Sequence, residues 1–283
     1  MKIAVITDSS SNLTLKYIDS VKNLYMLPLL ISIDDKFYRD QIEIDSATVY
    51  ERLPKTDVKT SLPDMNDLEE AIEKFKSEGY TDILVITLSS KLSGTYNAVR
   101  NGIKEVTGIK LHMYDTKTLS MALGYMVMEA VELIDKKLSV AKVIEKLDVL
   151  RQKDLLAMFT VETLKWLRKG GRIGKVEGTI GEILHVKPVI GVTDEGIYYT
   201  ISKGFGMKRT FITMRKELKK FFGDDLIEVT LHYGNDSTYA ESVKEKILDE
   251  MNVTRVNLSQ LTPVLGVHVG PGILAMVGRR IYK

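Results

Sequence analysis

TLSSKLSGTYNAV, residues 87–99, passes from a β-branched run into a helical pattern through a loop of hydroxyls, and its reading decides the fold. ILVIT (83–87) fits a buried strand, and GTYNAVRNGIKEV carries apolar residues at helical spacing. Ser93 sits just before that pattern, where its hydroxyl can accept a hydrogen bond from an unpaired N–H of the first turn. The same turn, with outward N–H groups and the positive end of the helix dipole, can hold a carboxylate or phosphate. A helix cap and an anion contact are both compatible with these residues.

The same order recurs on either side. KIAVIT (2–7) reads as a strand followed by the polar loop TDSSSNL, which places Asp8, Ser9, Ser10 and Ser11 at the carboxyl edge of a sheet, with Asn12 or Thr14 as the next helix cap. YMLPLLISI (25–33) is interrupted by Pro28, as at an edge or bulge, and DDKFYRD returns as a small hairpin. Helical spacing is expected over 46–53 and 66–77, and VKTSLPD between them holds Thr60 and Ser61 on a proline-stiffened loop. A ligand arm and a surface turn both fit that loop. The Met-rich pattern 118–135 is apolar around most of its circumference, so it is buried between layers or lines a cavity. LLAMFTV (155–161) reads as the last strand of this half, and GVHVGPGILAMVGRR as a flexible Gly-Pro loop carrying His268 and then a strand. These patterns predict an α/β protein of two domains: a parallel βαβ domain over 1–160 and a mixed α/β domain over 161–283.

Composition removes several function classes. Forty Lys and Arg against 38 Asp and Glu leave a formal charge of +2, which points to neither nucleic acid nor an anionic membrane. With no cysteine there is no disulfide framework, thiolate metal site or catalytic thiol. The N-terminal apolar run is too short for a signal peptide, and no stretch approaches the ~20 apolar residues of a membrane helix, so a cytoplasmic protein is expected. The four histidines, at 112, 185, 232 and 268, are not paired at zinc spacing. KLSGT around Ser93 is not a nucleophile elbow. LRKGGRIGK (167–175) fails as a phosphate loop because Lys169 and Val176 stand where Gly and Ser or Thr are required. Two readings of the polar loops are left. Ser93 and His268 could act as nucleophile and base of a serine-dependent acyl hydrolase. Alternatively, Ser93, Thr60 or Ser61, and His268 could cradle a carboxylate while apolar walls take its chain. Burial of about 0.8 kcal/mol per methylene makes a sixteen-carbon tail worth roughly 10 kcal/mol before ordering costs.

Six motifs, TDSSSNL (7–13), KTSLPD (59–64), TLSSKLSGTYNA (87–98), LRKGGRIGK (167–175), KPVIG (187–191) and HVGPG (268–272), together resemble the DegV family. Its members include the fatty-acid-binding subunits of bacterial fatty acid kinase. The resemblance implies two α/β domains with a ligand tunnel between them and a long-chain fatty acid as ligand. It implies no other cofactor or metal, and no catalysis by this chain. The carboxylate site carried over is Ser93, Thr60 or Ser61, and His268. A separate ATP-binding kinase subunit is the implied partner, forming an acyl phosphate on the presented carboxylate. Leu62 departs from the glutamine usual in the family's TSQP, which alters the expected hydrogen bonding of the head group.

Overall fold

Two large sheets share one core, and the helix Ser120–Asp135 packs against both of them. The computed structural model describes residues 2–179 and 185–282. The first half runs β1 (Ile3–Asp8), α1 (Leu15–Ser20), β2 (Leu24–Leu27), β3 (Leu30–Ile33), β4 (Lys36–Arg39), α2 (Ser46–Arg52) and β5 (Val58–Ser61). It continues through α3 (Met65–Ser77), β6 (Asp82–Thr87), α4 (Thr95–Gly102), β7 (Lys110–Asp115), α5 (Ser120–Asp135) and α6 (Val140–Val149). The second half holds β8 (Leu155–Val161), α7 (Lys165–Lys169), β9 (Val186–Val192), β10 (Tyr198–Phe205) and α8 (Gly206–Phe222). After them come β11 (Ile227–Tyr233), α9 (Thr238–Glu250), β12 (Val253–Gln260), α10 (Pro263–Val269) and β13 (Ile273–Arg280).

The expected parallel βαβ sheet is present, with order β2-β1-β6-β7 and every pairing parallel. Pro28 divides the apolar run 25–33 between two sheets. β2 stays in the parallel sheet, while β3 joins β4 and β5 in a small antiparallel sheet whose hairpin turns through Asp34 and Asp35, both at positive φ. The second sheet is mixed, with order β10-β9-β8-β13-β11-β12, and only β11 and β12 pair in parallel.

Three sequence expectations need correction. Residues 155–161 do not close the first half: β8 lies between β13 and β9 in the second sheet, so the division between sheets falls before Leu155 rather than at 160. Its pattern is that of any buried strand, and the pairing that claims it is made with residues more than a hundred positions later. Thr60 and Ser61 end a strand rather than sit on a free loop. His268 lies in α10, not in a flexible loop.

α5 fills the space between the two sheets, which is why its pattern is apolar all round. Its fully buried Tyr125 meets Thr230 Oγ1 on β11 at 2.8 Å, and the Arg279 guanidinium covers its ring. The halves are further tied by side chains of the first half that bond backbone at the start of α10. Asn12 Oδ1 accepts from the Thr262 N–H, Ser46 Oγ donates to the Leu261 carbonyl, and Asp40 Oδ1 accepts from the Val264 N–H at 3.0 Å.

Asp40 is fully buried and its Oδ2 has no hydrogen-bond partner. Burial pushes its carboxyl up to about 7, against the hydrogen bonds from Ser9 and Val264. A raised carboxyl contributes stability that is whole below the unfolded value of about 4 and is lost as pH rises through about 7. Asp40→Asn keeps the acceptor for Val264 and removes the ionisation. We expect it to stabilise the protein at pH 8 by an amount on the order of a few kcal/mol, seen as a higher thermal midpoint, and to have a clearly smaller effect at pH 5. Thermal scans at the two pH values check this, and equal effects at both would refute it.

Candidate functional site

The carboxyl edge of the parallel sheet meets the second sheet across a cavity of about 870 Å³, its open mouth included. The segments that follow β1, β6 and β7, with the first residue of α5, supply Ser10, Leu88, Leu92, Ser93, Leu119 and Ser120 to one wall. Strands β8 and β13 and helix α10 supply the other, through residues such as Phe159, Val277 and Leu265. The interior is mostly aliphatic and aromatic. Buried carboxylates fix the polar loop that closes one side. Asp8 accepts from the Ser10 N–H at 3.0 Å and hydroxyl at 2.5 Å, and from the Leu88 N–H at 2.8 Å, while burial pushes its carboxyl up to about 6.

The structure brings Thr60, Ser61, Ser93 and His268 to this one cavity from three separate parts of the chain. β5 ends at Ser61, so Thr60 and Ser61 stand at the rim, Ser61 exposed and Thr60 half-buried. His268 reaches them from the last turn of α10, with Nε2 2.9 Å from Thr60 Oγ1. That helix starts with Pro263 in its first turn and has Asp40 as its acceptor from the other half. His268 Nδ1 is buried without a partner and faces Gly170, where a β-carbon would collide with it. Ser93 is one residue short of the position expected for it. Gly94 is the N-cap of α4, and Ser93 Oγ accepts from the Thr95 N–H at 3.2 Å and meets Thr95 Oγ1 at 2.8 Å.

These bonds do not pair a nucleophile with a base. Ser93 Oγ is engaged by Thr95 and His268 Nε2 by Thr60, so the hydrolase reading lacks its defining contact. His268 is also a weak base here: burial, and then the Arg172 charge, pull it down to about 4, which leaves a neutral ring at pH 7.

Sequence reasoning missed Arg172 as a site residue. Within the basic turn, Arg168 pairs with Glu177, Lys169 with Asp57 and Lys175 with Glu195, all at the surface. Arg172 instead turns inward, donates from Nε to the Leu92 carbonyl at 3.2 Å and from Nη1 to the Gly170 carbonyl, and lines the cavity. Spacing alone did not separate it from its neighbours. With His268 neutral, it is the one positive charge among the described residues of the cavity wall. Among the described residues no cluster of His, Cys, Asp and Glu could hold a metal ion, and no helix is long and apolar enough to cross a membrane.

What the site can do chemically is bind an anion through neutral donors and one guanidinium, with an apolar space behind them. Comparison with known proteins places the chain in a family. A family model described as "Uncharacterised protein, DegV family" matches residues 2–279. A DegV domain-containing protein of Clostridium perfringens is 37% identical over 284 residues, covering 100% of this chain and 99% of that one. One from Clostridium acetobutylicum is 35% identical over 276 residues, covering 98% of each chain. Among solved structures, a DegV family protein from Thermus thermophilus, described by its fatty acid binding, superposes with a TM-score of 0.91 at 26% identity, covering 99% of this chain and 100% of that one. DegV from Bacillus subtilis, described as a fatty acid binding protein, gives 0.89 at 25% identity over 99% of this chain and 100% of that one. Matched from its first strand to its last, this chain belongs to the DegV family.

Proposed function

We propose that this chain is a fatty-acid carrier that holds a long-chain acid between its two halves and presents the carboxylate to a separate ATP-dependent kinase subunit for acyl phosphate formation. The observation that carries the reading is the convergence of Thr60, Ser61, Ser93, His268 and Arg172 on one cavity whose remaining lining is mostly apolar. Hydroxyls donate to the carboxylate, Arg172 balances its charge, and the aliphatic wall takes the chain. The Thermus and Bacillus relatives, described as binding fatty acid, support the ligand class. Their descriptions do not extend to a kinase. That part rests on the family resemblance and on the exposure of Ser61, with half-buried Thr60, Ser93, His268 and Arg172 beside it, which leaves a head group at this rim within reach of a second protein.

His268 acts through Thr60 in this arrangement. With Nε2 protonated, the ring donates to Thr60 Oγ1 and leaves the Thr60 hydroxyl proton for the carboxylate. The reading predicts that protein purified without added lipid releases fatty acid into an organic extract, identified by mass spectrometry. Folded protein that is lipid-free and takes up no chain length would refute the carrier. With a fatty acid kinase ATP-binding subunit and ATP added, the bound acid is expected to be trapped by hydroxylamine as a hydroxamate. Lipid-loaded protein that yields none would remove the presenting role and leave the binding one.

A further inference from the structure

We propose that the cavity holds a second polar station, at Ser120, which selects acyl chains carrying an oxygen substituent, hydroxy or oxo, along their length; this rests on the fatty-acid reading above. Besides Thr60, Ser61 and Ser93, the cavity lining carries the hydroxyls of Ser10, Ser120 and Tyr198, and of these only the Ser120 oxygen is both fully buried and without a partner. Ser10 spends its own on Asp8 at 2.5 Å. Ser120 is 9% exposed, and its Oγ is buried without a hydrogen-bond partner. A hydroxyl left unpaired in an apolar surround is costly, and a ligand oxygen is the partner this wall lacks.

A second feature of the same place favours the same atom. Ser120 opens the sixteen-residue helix α5, and its N-cap is Leu119, which has no side-chain oxygen to offer the first turn. Leu119 lines the cavity too. The first-turn N–H groups and the positive end of the helix dipole therefore lie beside the free hydroxyl, and both favour an acceptor oxygen. Ser93 follows β6 and Ser120 follows β7, and these strands are neighbours in the parallel sheet. A chain anchored by its carboxylate at Ser93 passes the second station one strand further along the sheet edge.

The test measures binding of palmitate and of hydroxypalmitates substituted at successive positions, to delipidated wild-type protein and to Ser120→Gly. Glycine accepts the positive φ of 56° at this position and removes the hydroxymethyl group. Circular dichroism of the variant confirms its fold. Wild type is expected to bind at least one hydroxypalmitate on the order of five- to tenfold more tightly than palmitate. In Ser120→Gly the two acids are expected to bind within about twofold of each other. Palmitate binding with no oxygenated chain preferred, or a preference that survives in Ser120→Gly, overturns the station while the carrier reading stands. Failure of every acid, palmitate included, overturns both.

Discussion

A Ser93→Ala/His268→Ala double variant is expected to lose affinity for long-chain fatty acid by on the order of a hundredfold, and to purify nearly free of lipid. Hydrogen bonds to a charged group contribute about 1.5–3 kcal/mol each, because the carboxylate left without them remains desolvated. Ser93 supplies one donor directly. His268 supplies its share through Thr60, whose hydroxyl it holds at 2.9 Å, so its removal frees the Thr60 side chain to rotate away. Ser93 Oγ also accepts from the Thr95 N–H, and its loss frays the start of α4 by an amount on the order of 1 kcal/mol. Fold loss is separated from ligand loss by the thermal midpoint of delipidated protein, wild type against variant. A variant of near-normal stability that still carries a full complement of fatty acid would show that the head group lies elsewhere.

Ser93 and His268 were both legible in the sequence, for different reasons and with different errors. Ser93 stood out because the strand-to-helix order around it is local, and the structure moved it by one position relative to the cap. The location of His268 was misread because PVLGVHV has glycine and β-branched residues where a helix wants better formers. Its helix is held by Asp40, 224 residues before the amide it accepts from, and by Gly266, which lets Tyr50 pack against it. The strand character of 155–161 was legible and its sheet was not, since membership is decided by pairing with β13. Local periodicity thus carried nearly every element, whereas tertiary pairing determined which half each one served. The free hydroxyl of Ser120 belongs with the second group: a serine at a helix start gives no sign of whether its oxygen will find a partner.

Arg172→Met is expected to weaken binding of a fatty acid by about ten- to a hundredfold while changing binding of the corresponding fatty alcohol by less than about threefold. Methionine keeps much of the side chain's length and apolar stem and removes the guanidinium. At an effective dielectric near 20, a carboxylate about 4 Å from a positive charge gains roughly 4 kcal/mol, of which desolvating the pair takes back a part. Among the described residues lining the cavity none makes up that loss, because the remaining basic residues of the turn are committed to Glu177, Asp57 and Glu195 outside it and His268 is neutral at pH 7. Arg172 also ties the Gly170 and Leu92 carbonyls together, so its loss loosens the turn that faces His268. The alcohol separates these two effects: it needs the cavity's shape and the rim hydroxyls but has no charge for Arg172 to balance. Equal weakening of acid and alcohol would make Arg172 a brace for the turn. Weakening of the acid alone assigns it the carboxylate's charge, and an acid bound as tightly as in wild type would remove Arg172 from the site.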